Sequence, residues 1–198
     1  MQFVQNSKNP KALGDLYSYL QERPGSLIDF KKIQRLLGIN FKLTTDLFFE
    51  LEQNDIGSLV KAFEHDHFSI RQTPHGKFYF HDLKHLLDKS HYRQDQSGAL
   101  FEQTFFIQLR NKISKVWFMR TLDDIEVDFI IQTSFGELWA LELQTDQFIY
   151  AADLQGLHFF HKNFPAANRF FVLHMGTRDN REGIVEIVPF QKLLDLLT

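Results

Sequence analysis

Three acids in the C-terminal half of the chain stand where helical spacing or strand alternation aims them away from water. In Ile125–Ile131, Val127, Phe129 and Ile131 point one way. Glu126 and Asp128 point the other, about 7 Å apart along an extended strand. In Leu138–Thr145, Trp139, Leu141 and Leu143 share one face, while Ala140, Glu142 and Gln144 share the opposite one. Glu102 heads a helical stripe completed by Phe106, Leu109 and Ile113. A carboxylate on an apolar face is costly unless something pairs with it. Carboxylates that converge repel one another unless a cation sits between them. Oxygen ligands, with no cysteine in the chain and no histidine nearby, suit Mg²⁺ or Mn²⁺ and not zinc.

The elements that must position these acids follow from periodicity. A helix begins at Gly98 and is followed by a strand at Lys115–Met119, then Arg120 and a turn with Asp123 and Asp124. The two acid-bearing strands are joined by a turn at Ser134–Gly136. Asp153–Asn163 has helical spacing, Arg169–His174 and Ile184–Val188 are strand-like, and Phe190–Leu197 closes the chain as a helix. Strands interleaved with helices predict an α/β sheet covered on both faces. His158 and His161 fall on the crossover helix, where packing or surface exposure is the expected role.

Upstream, the segment SHYRQDQS (Ser90 to Ser97) is polar and lacks periodicity, which places a boundary between a domain of residues 1–96 and one of residues 97–198. The first is expected to be mostly helical. Leu13, Leu16, Tyr17 and Leu20 mark one amphipathic helix, with Pro10 at its start and Arg23-Pro24-Gly25 at its end. Ser26, three residues before Asp29, opens a second helix that carries Phe30, Ile33 and Leu37 and stops at Gly38. A third spans roughly 42–54. After a linking stretch, His67–Gln72 and Lys77–His81 alternate around Thr73-Pro74-His75-Gly76 as a hairpin, and a short helix at Asp82–Leu87 follows.

Three helices closed by a hairpin is the plan of a winged helix. The third helix would then face a DNA groove, but its polar face carries Asp46, Glu50, Glu52 and Gln53 against Lys42 alone. Acids facing phosphates are repulsive, so packing or protein contact is the expected use. His65-Asp66-His67 has no further ligand at zinc-like spacing and is expected to be a solvated loop.

Composition narrows the class further. The net charge is −3; residues 1–97 carry 13 Lys and Arg against 12 Asp and Glu, and the remainder 9 against 13. Neither part has the positive field of a dedicated nucleic-acid binder. With no cysteine, disulfides and thiolate chemistry are excluded. The opening MQFVQNSKNPKAL lacks the charged-then-apolar plan of a signal peptide, and no apolar run approaches the roughly 20 residues of a membrane helix. A cytoplasmic protein without membrane contact is expected.

The strings GALFEQTFFIQL, VWFMRTLDDIEVDFII and ALELQ resemble the domain of unknown function at the C-terminal end of many bacterial and archaeal AAA-type ATPases, a member of the PD-(D/E)xK nuclease superfamily. RQTPHGKFYFHDL is similar to the wing of the winged helix that precedes it in those proteins. The resemblance implies a PD-(D/E)xK restriction-endonuclease-like α/β core behind a small winged-helix domain. Glu102 matches the family's helix Glu, Glu126-Val127-Asp128-Phe129 its EVDF strand, and Glu142 the first residue of its Glu-x-Lys strand. Trp117 and Arg120 match its Trp-Arg element with two residues between them, where the family usually has none.

On this resemblance Asp128 and Glu142 would hold Mg²⁺ or Mn²⁺, with Glu102 as an auxiliary ligand or water-orienting group. Gln144 would occupy the lysine position of a degenerate catalytic set. The function implied is a metal-dependent phosphodiesterase acting on DNA or RNA. Gln144 contributes no charge, and losing one such electrostatic contact costs on the order of 10²–10³ in rate. Arg120 or Lys162 is a candidate replacement cation. Superfamily helices near the site sometimes add a Gln or His, which would be the other role for His158 or His161. No GxxxxGK[ST] occurs in these residues. The alternative is therefore a nuclease fold without catalysis, with Asp128 and Glu142 paired to Arg120 or neutralised by raised pKa values, serving as an interaction module for an ATPase or other protein partner.

Overall fold

The computed structural model describes residues 1–64, 76–87, 97–146 and 148–197. It is mixed α/β, and the chain divides into two compact units: Met1–Val60 with His75–Gln103, and Lys61–Pro74 with Thr104–Thr198. The predicted boundary at 90–97, the first hairpin strand at 67–72 and the His65-Asp66-His67 group lie wholly or largely outside the described residues.

The first unit opens with α1 (Gln2–Gln5) and α2 (Pro10–Gln21). Next come β1 (Leu27–Ile28), α3 (Phe30–Leu37), α4 (Phe41–Gln53) and β2 (Gly57–Ala62), the last belonging to this unit as far as Val60. It continues with β3 (Gly76–Phe80), α5 (Lys84–Leu87) and α6 (Ser97–Leu109) as far as Gln103. Helix α3 starts at Asp29, whose carboxylate accepts from Lys32 N, so Asp29 and not Ser26 is the cap. Gly38, at φ +64°, ends it as predicted. Asn40 caps α4 in the same way through Leu43 N.

The three strands run antiparallel in the order β1-β3-β2. The partners of β3 are thus Leu27–Ile28 and Gly57–Ala62, the latter a stretch read from sequence only as a link. Leu13, Leu16, Tyr17 and Leu20 of α2 and Leu47, Phe48 and Leu51 of α4 close the core against Phe78 and Phe80. Asp46 and Glu52 are exposed on α4, as the spacing predicted, and Phe41 and Phe49 are exposed with them.

In the same core Gln21 Nε2 donates to Tyr17 OH, which in turn faces His85 Nδ1 at 2.9 Å. The hydroxyl, with one proton and two lone pairs, bridges the amide and the imidazole. Burial, with a smaller repulsion from Lys84, holds the His85 pKa below its ordinary value. The unfolded chain takes up this proton first as the pH falls.

The second unit carries β4 (Lys115–Arg120), β5 (Glu126–Gln132), β6 (Leu138–Gln144), β7 (Arg169–His174), β8 (Asn180–Glu182) and β9 (Val185–Pro189). Lys61 and Ala62 of β2 lie parallel to β4, and the order continues β4-β5-β6-β7-β9-β8. Pairs β4/β5, β5/β6 and β8/β9 are antiparallel, and β6/β7 and β7/β9 are parallel. The parallel connections use a 3-10 turn at Ala151–Leu154 running into α7 (Gln155–Asn163). The chain closes with α8 (Phe190–Leu196).

Helix α7 lies on Val127, Ile130, Ala140 and Val172 through Leu154, Leu157 and Phe160. The other sheet face is covered by Phe105 and Phe106, which meet Phe129. Gly156 permits the closest approach, because a Cβ there would sit 1.8 Å from the Glu126 carbonyl oxygen.

Two outcomes follow. Gly156→Ala cannot be relieved by a rotamer change, so a loss of about 3 kcal/mol or more is expected in urea unfolding, at or beyond the upper end of ordinary overpacking. Stability should also decline as the pH falls through the usual imidazole range, and that slope should flatten in His85→Gln, measured by thermal melts across pH.

Candidate functional site

Asp128 and Glu142 are brought together by the β5–β6 pair. The paired register ends at Phe129–Leu141, and Asp128 and Glu142 are the next residue beyond it on each strand. Opposed residues on one face of an antiparallel pair have Cβ atoms about 5 Å apart. The Asp128 carboxylate also reaches across to accept from Leu143 N at 2.9 Å. Glu142 is half-buried, with Oε2 shielded from solvent. Gln144 follows on the same face as Ala140 and Glu142, the face on which α7 packs.

The strand that presents Asp128 is irregular, unlike its prediction. The β4–β5 register slips by one residue between the pairs Trp117–Ile130 and Met119–Val127. The slip leaves an extra residue on β5 beside Asp128. Strict alternation would put Val127 and Phe129 on one face. Instead Val127 packs under α7 with Ile130, while Phe129 stacks against Phe106 on the other side. Bulges of this kind re-aim a side chain without ending the strand. Here the slip brings Val127 onto the face of Ile130.

A residue that the spacing did not flag completes this group. Asp153, in the 3-10 turn, accepts from Gln144 Nε2 at 3.3 Å through Oδ1 and from Tyr150 N at 2.7 Å through Oδ2. An acid in the first turn of a helix is ordinarily explained by capping alone, so sequence carried no sign of its contact with Gln144. His174, paired with Gln144 across β6–β7, was missed for a similar reason. It is buried; Nδ1 accepts from Gly176 N and Nε2 donates to the Arg178 carbonyl, both at 2.9 Å. That fixes a neutral tautomer and pins the loop after β7.

The candidate cations are otherwise placed. Arg120 donates to Glu126 at 2.6 Å and to Asp124 at 3.0 Å. Partial burial works against its charge, but Glu126 and Asp124 outweigh this and raise its pKa. The pairing of Arg120 with Asp128 and Glu142 that sequence allowed is thus replaced by its own turn and strand neighbours. Lys162 and His158 are exposed on α7. His161 packs its ring edge-on to Phe170 at 5.0 Å, the packing role expected, although its buried Nδ1 has no hydrogen-bond partner among the described residues.

Glu102 belongs to the first unit, where its hydrogen-bond partners are Lys77, at 2.7 Å, and the Tyr79 hydroxyl. The Lys77 side chain is only 4% exposed and that of Glu102 14%. The sequence demanded a partner for this acid, and β3 supplies it. Next to it, Gln103 donates to the Phe80 carbonyl and accepts from Phe80 N, so two consecutive side chains of α6 bind β3.

Asp55, His81 and Ser58 form a second chain in this unit. His81 Nδ1 lies 2.6 Å from Asp55, and Nε2 lies 2.7 Å from Ser58 Oγ. The order of bonds is that of a hydrolytic triad, but the burial is reversed. The acid side chain is 73% exposed and the imidazole 5%, whereas a hydrolase buries the acid that orients its histidine. The chain therefore acts as a clamp between the start of β2 and the end of β3.

Residues 97–193 match the family described as a domain of unknown function, DUF4143. No curated protein and no solved structure gives a significant match to the chain. Among the described residues no helix is long and apolar enough to cross a membrane, and no three His, Asp or Glu side chains form a metal-holding group. The surface depression lined by Lys112, Lys115, Thr133 and Gly136 lies at the β5–β6 turn, the opposite end of the strand pair from Asp128 and Glu142.

Removing Glu102 takes from the buried Lys77 ammonium the carboxylate to which it donates. Glu102→Ala should therefore cost about 3–5 kcal/mol in chemical denaturation, and Lys77→Met with Glu102→Leu should recover part of that loss.

Proposed function

We propose that the second unit is a PD-(D/E)xK-type phosphodiesterase that cleaves DNA or RNA with Mg²⁺ or Mn²⁺. The observation that carries this is that Asp128 and Glu142 stand on adjacent strands just beyond the last paired step, with Asp128 bonded across to Leu143 N and Gln144 two residues beyond Glu142. Two like charges held opposite one another in partly buried positions call for a cation between them. Mg²⁺ suits such a pair, because it is usually held by one or two carboxylates and keeps waters and substrate phosphate in its other positions. When bound, the ion would supply an activated water and positive charge for the phosphoryl transition state. Asp128 and Glu142 would hold it, and the Leu143 N–H bond would keep Asp128 from turning away.

A second reading, an interaction module without catalysis, is favoured by a different observation. No third carboxylate or histidine joins the pair among the described residues, and Arg120 is committed to Glu126 and Asp124. In that reading the protein would bind an ATPase or another protein. The first unit would serve either role as a winged-helix-like adaptor, because the acids on α4 oppose DNA phosphates.

Nicking of supercoiled plasmid in Mn²⁺ separates the two. Wild type should nick, and Asp128→Asn should reduce the rate by at least 10²-fold, the scale of losing a site-defining electrostatic group. Absence of cleavage on plasmid, single-stranded DNA and RNA alike would give the interaction module the stronger claim.

A further inference from the structure

Gln144 occupies the position where a lysine would present a donor and a positive charge, yet its contacts orient it for the opposite task. A carboxylate only accepts hydrogen bonds, so the prong of the Gln144 amide that faces Asp153 must be the NH₂ group. This assignment rests on chemistry and not on which atom was placed there. Asp153 is itself held, because its second oxygen accepts from Tyr150 N and its own N–H donates to the Tyr150 carbonyl at 2.9 Å. The amide therefore cannot flip without setting its carbonyl oxygen against a carboxylate. Its Oε1 is left on the other prong, where it accepts no hydrogen bond from any described residue. Gln144 itself lies two residues beyond Glu142 on β6, at the same parity.

From this arrangement we infer that Gln144 Oε1 is a third oxygen ligand for the cation of the Asp128–Glu142 pair, with Asp153 as the positioning residue that fixes its orientation. The inference rests on the proposed metal-dependent reading of that pair and adds to it the composition of the site. The lysine position has not lost a cation and kept a weaker donor; it has gained an acceptor. A neutral carbonyl oxygen is a hard ligand suited to Mg²⁺ or Mn²⁺. It also increases the ligand set without a third negative charge beside two carboxylates already opposed. Asp153 acts as an outer partner, a role whose loss typically weakens metal binding 10–100-fold.

The test is Mn²⁺ binding to the full-length protein by isothermal titration calorimetry and by quenching of the free Mn²⁺ electron-spin signal. Neither readout needs substrate. Gln144→Met keeps length and neutrality but removes the oxygen, and should weaken Mn²⁺ binding about tenfold. Asp153→Asn, which can accept the amide in either orientation, should weaken it by a similar factor, and Asp153→Glu should restore part of the loss. Thermal melts of each variant show whether the fold is kept. Should Gln144→Met fail to fold, Asp153→Asn decides alone.

Mn²⁺ affinity unchanged in Gln144→Met, with binding still abolished by Asp128→Asn, would overturn the inference and leave the metal-dependent reading standing. Gln144 would then be a donor in the lysine's place. Absence of Mn²⁺ binding in wild type, or binding indifferent to Asp128→Asn, would overturn both.

Discussion

Helix α7 is set down so close on β5 that its residue 156 can carry no side chain. Much of the candidate site depends on that approach. The helix backbone meets the carbonyl of Glu126, two residues before Asp128, so the turn that precedes the helix is held at a fixed height above the strand pair. Asp153 sits in that turn and reaches Gln144 from it. A bulkier residue at 156 would lift the turn together with the helix, and the amide of Gln144 would lose the partner that orients it. Packing and polar geometry are thus linked through a glycine that contributes no polar side chain to either.

The buried charges are arranged by two different solutions. In the first unit Glu102 is neutralised within the fold by Lys77 and Tyr79, and nothing further is required to make its burial tolerable. In the second unit Asp128 and Glu142 confront each other, and the nearest strongly basic side chain on the neighbouring strand, Arg120, is bound to Glu126 and Asp124. The same chain thus pairs one acid with a lysine and a tyrosine, and holds another, Asp128, through a backbone N–H.

Much of this was legible in the sequence, and the exceptions have physical causes. The helices at Pro10–Gln21, Phe30–Leu37 and Phe41–Gln53 and the strands bearing Asp128 and Glu142 followed from periodicity, because each buries one regular face. The short strands Leu27–Ile28 and Asn180–Glu182 are below the length at which alternation can register. The strand Gly57–Ala62 opens with a glycine pressed against Phe78 and lacks a clean alternation. For the candidate site, residue types and spacing pointed to Asp128 and Glu142, and the family resemblance to Gln144. The slip beside Asp128 and the contact from Asp153 could not be read, because both depend on what lies across the strand and not along it.

The register slip on β5 also makes chain length part of the site's specification. In a regular strand, which face a residue occupies is a matter of odd and even position, and Val127 and Asp128 would be parted to opposite sides. The extra residue cancels that parity for one step only. Deleting a residue from the strand between Asp128 and the turn at Ser134 would reverse the parity again, exchanging the acid with an apolar neighbour. The site is therefore encoded partly as a count, and comparison of related chains should weigh insertions and deletions in this strand as heavily as substitutions of the acids themselves.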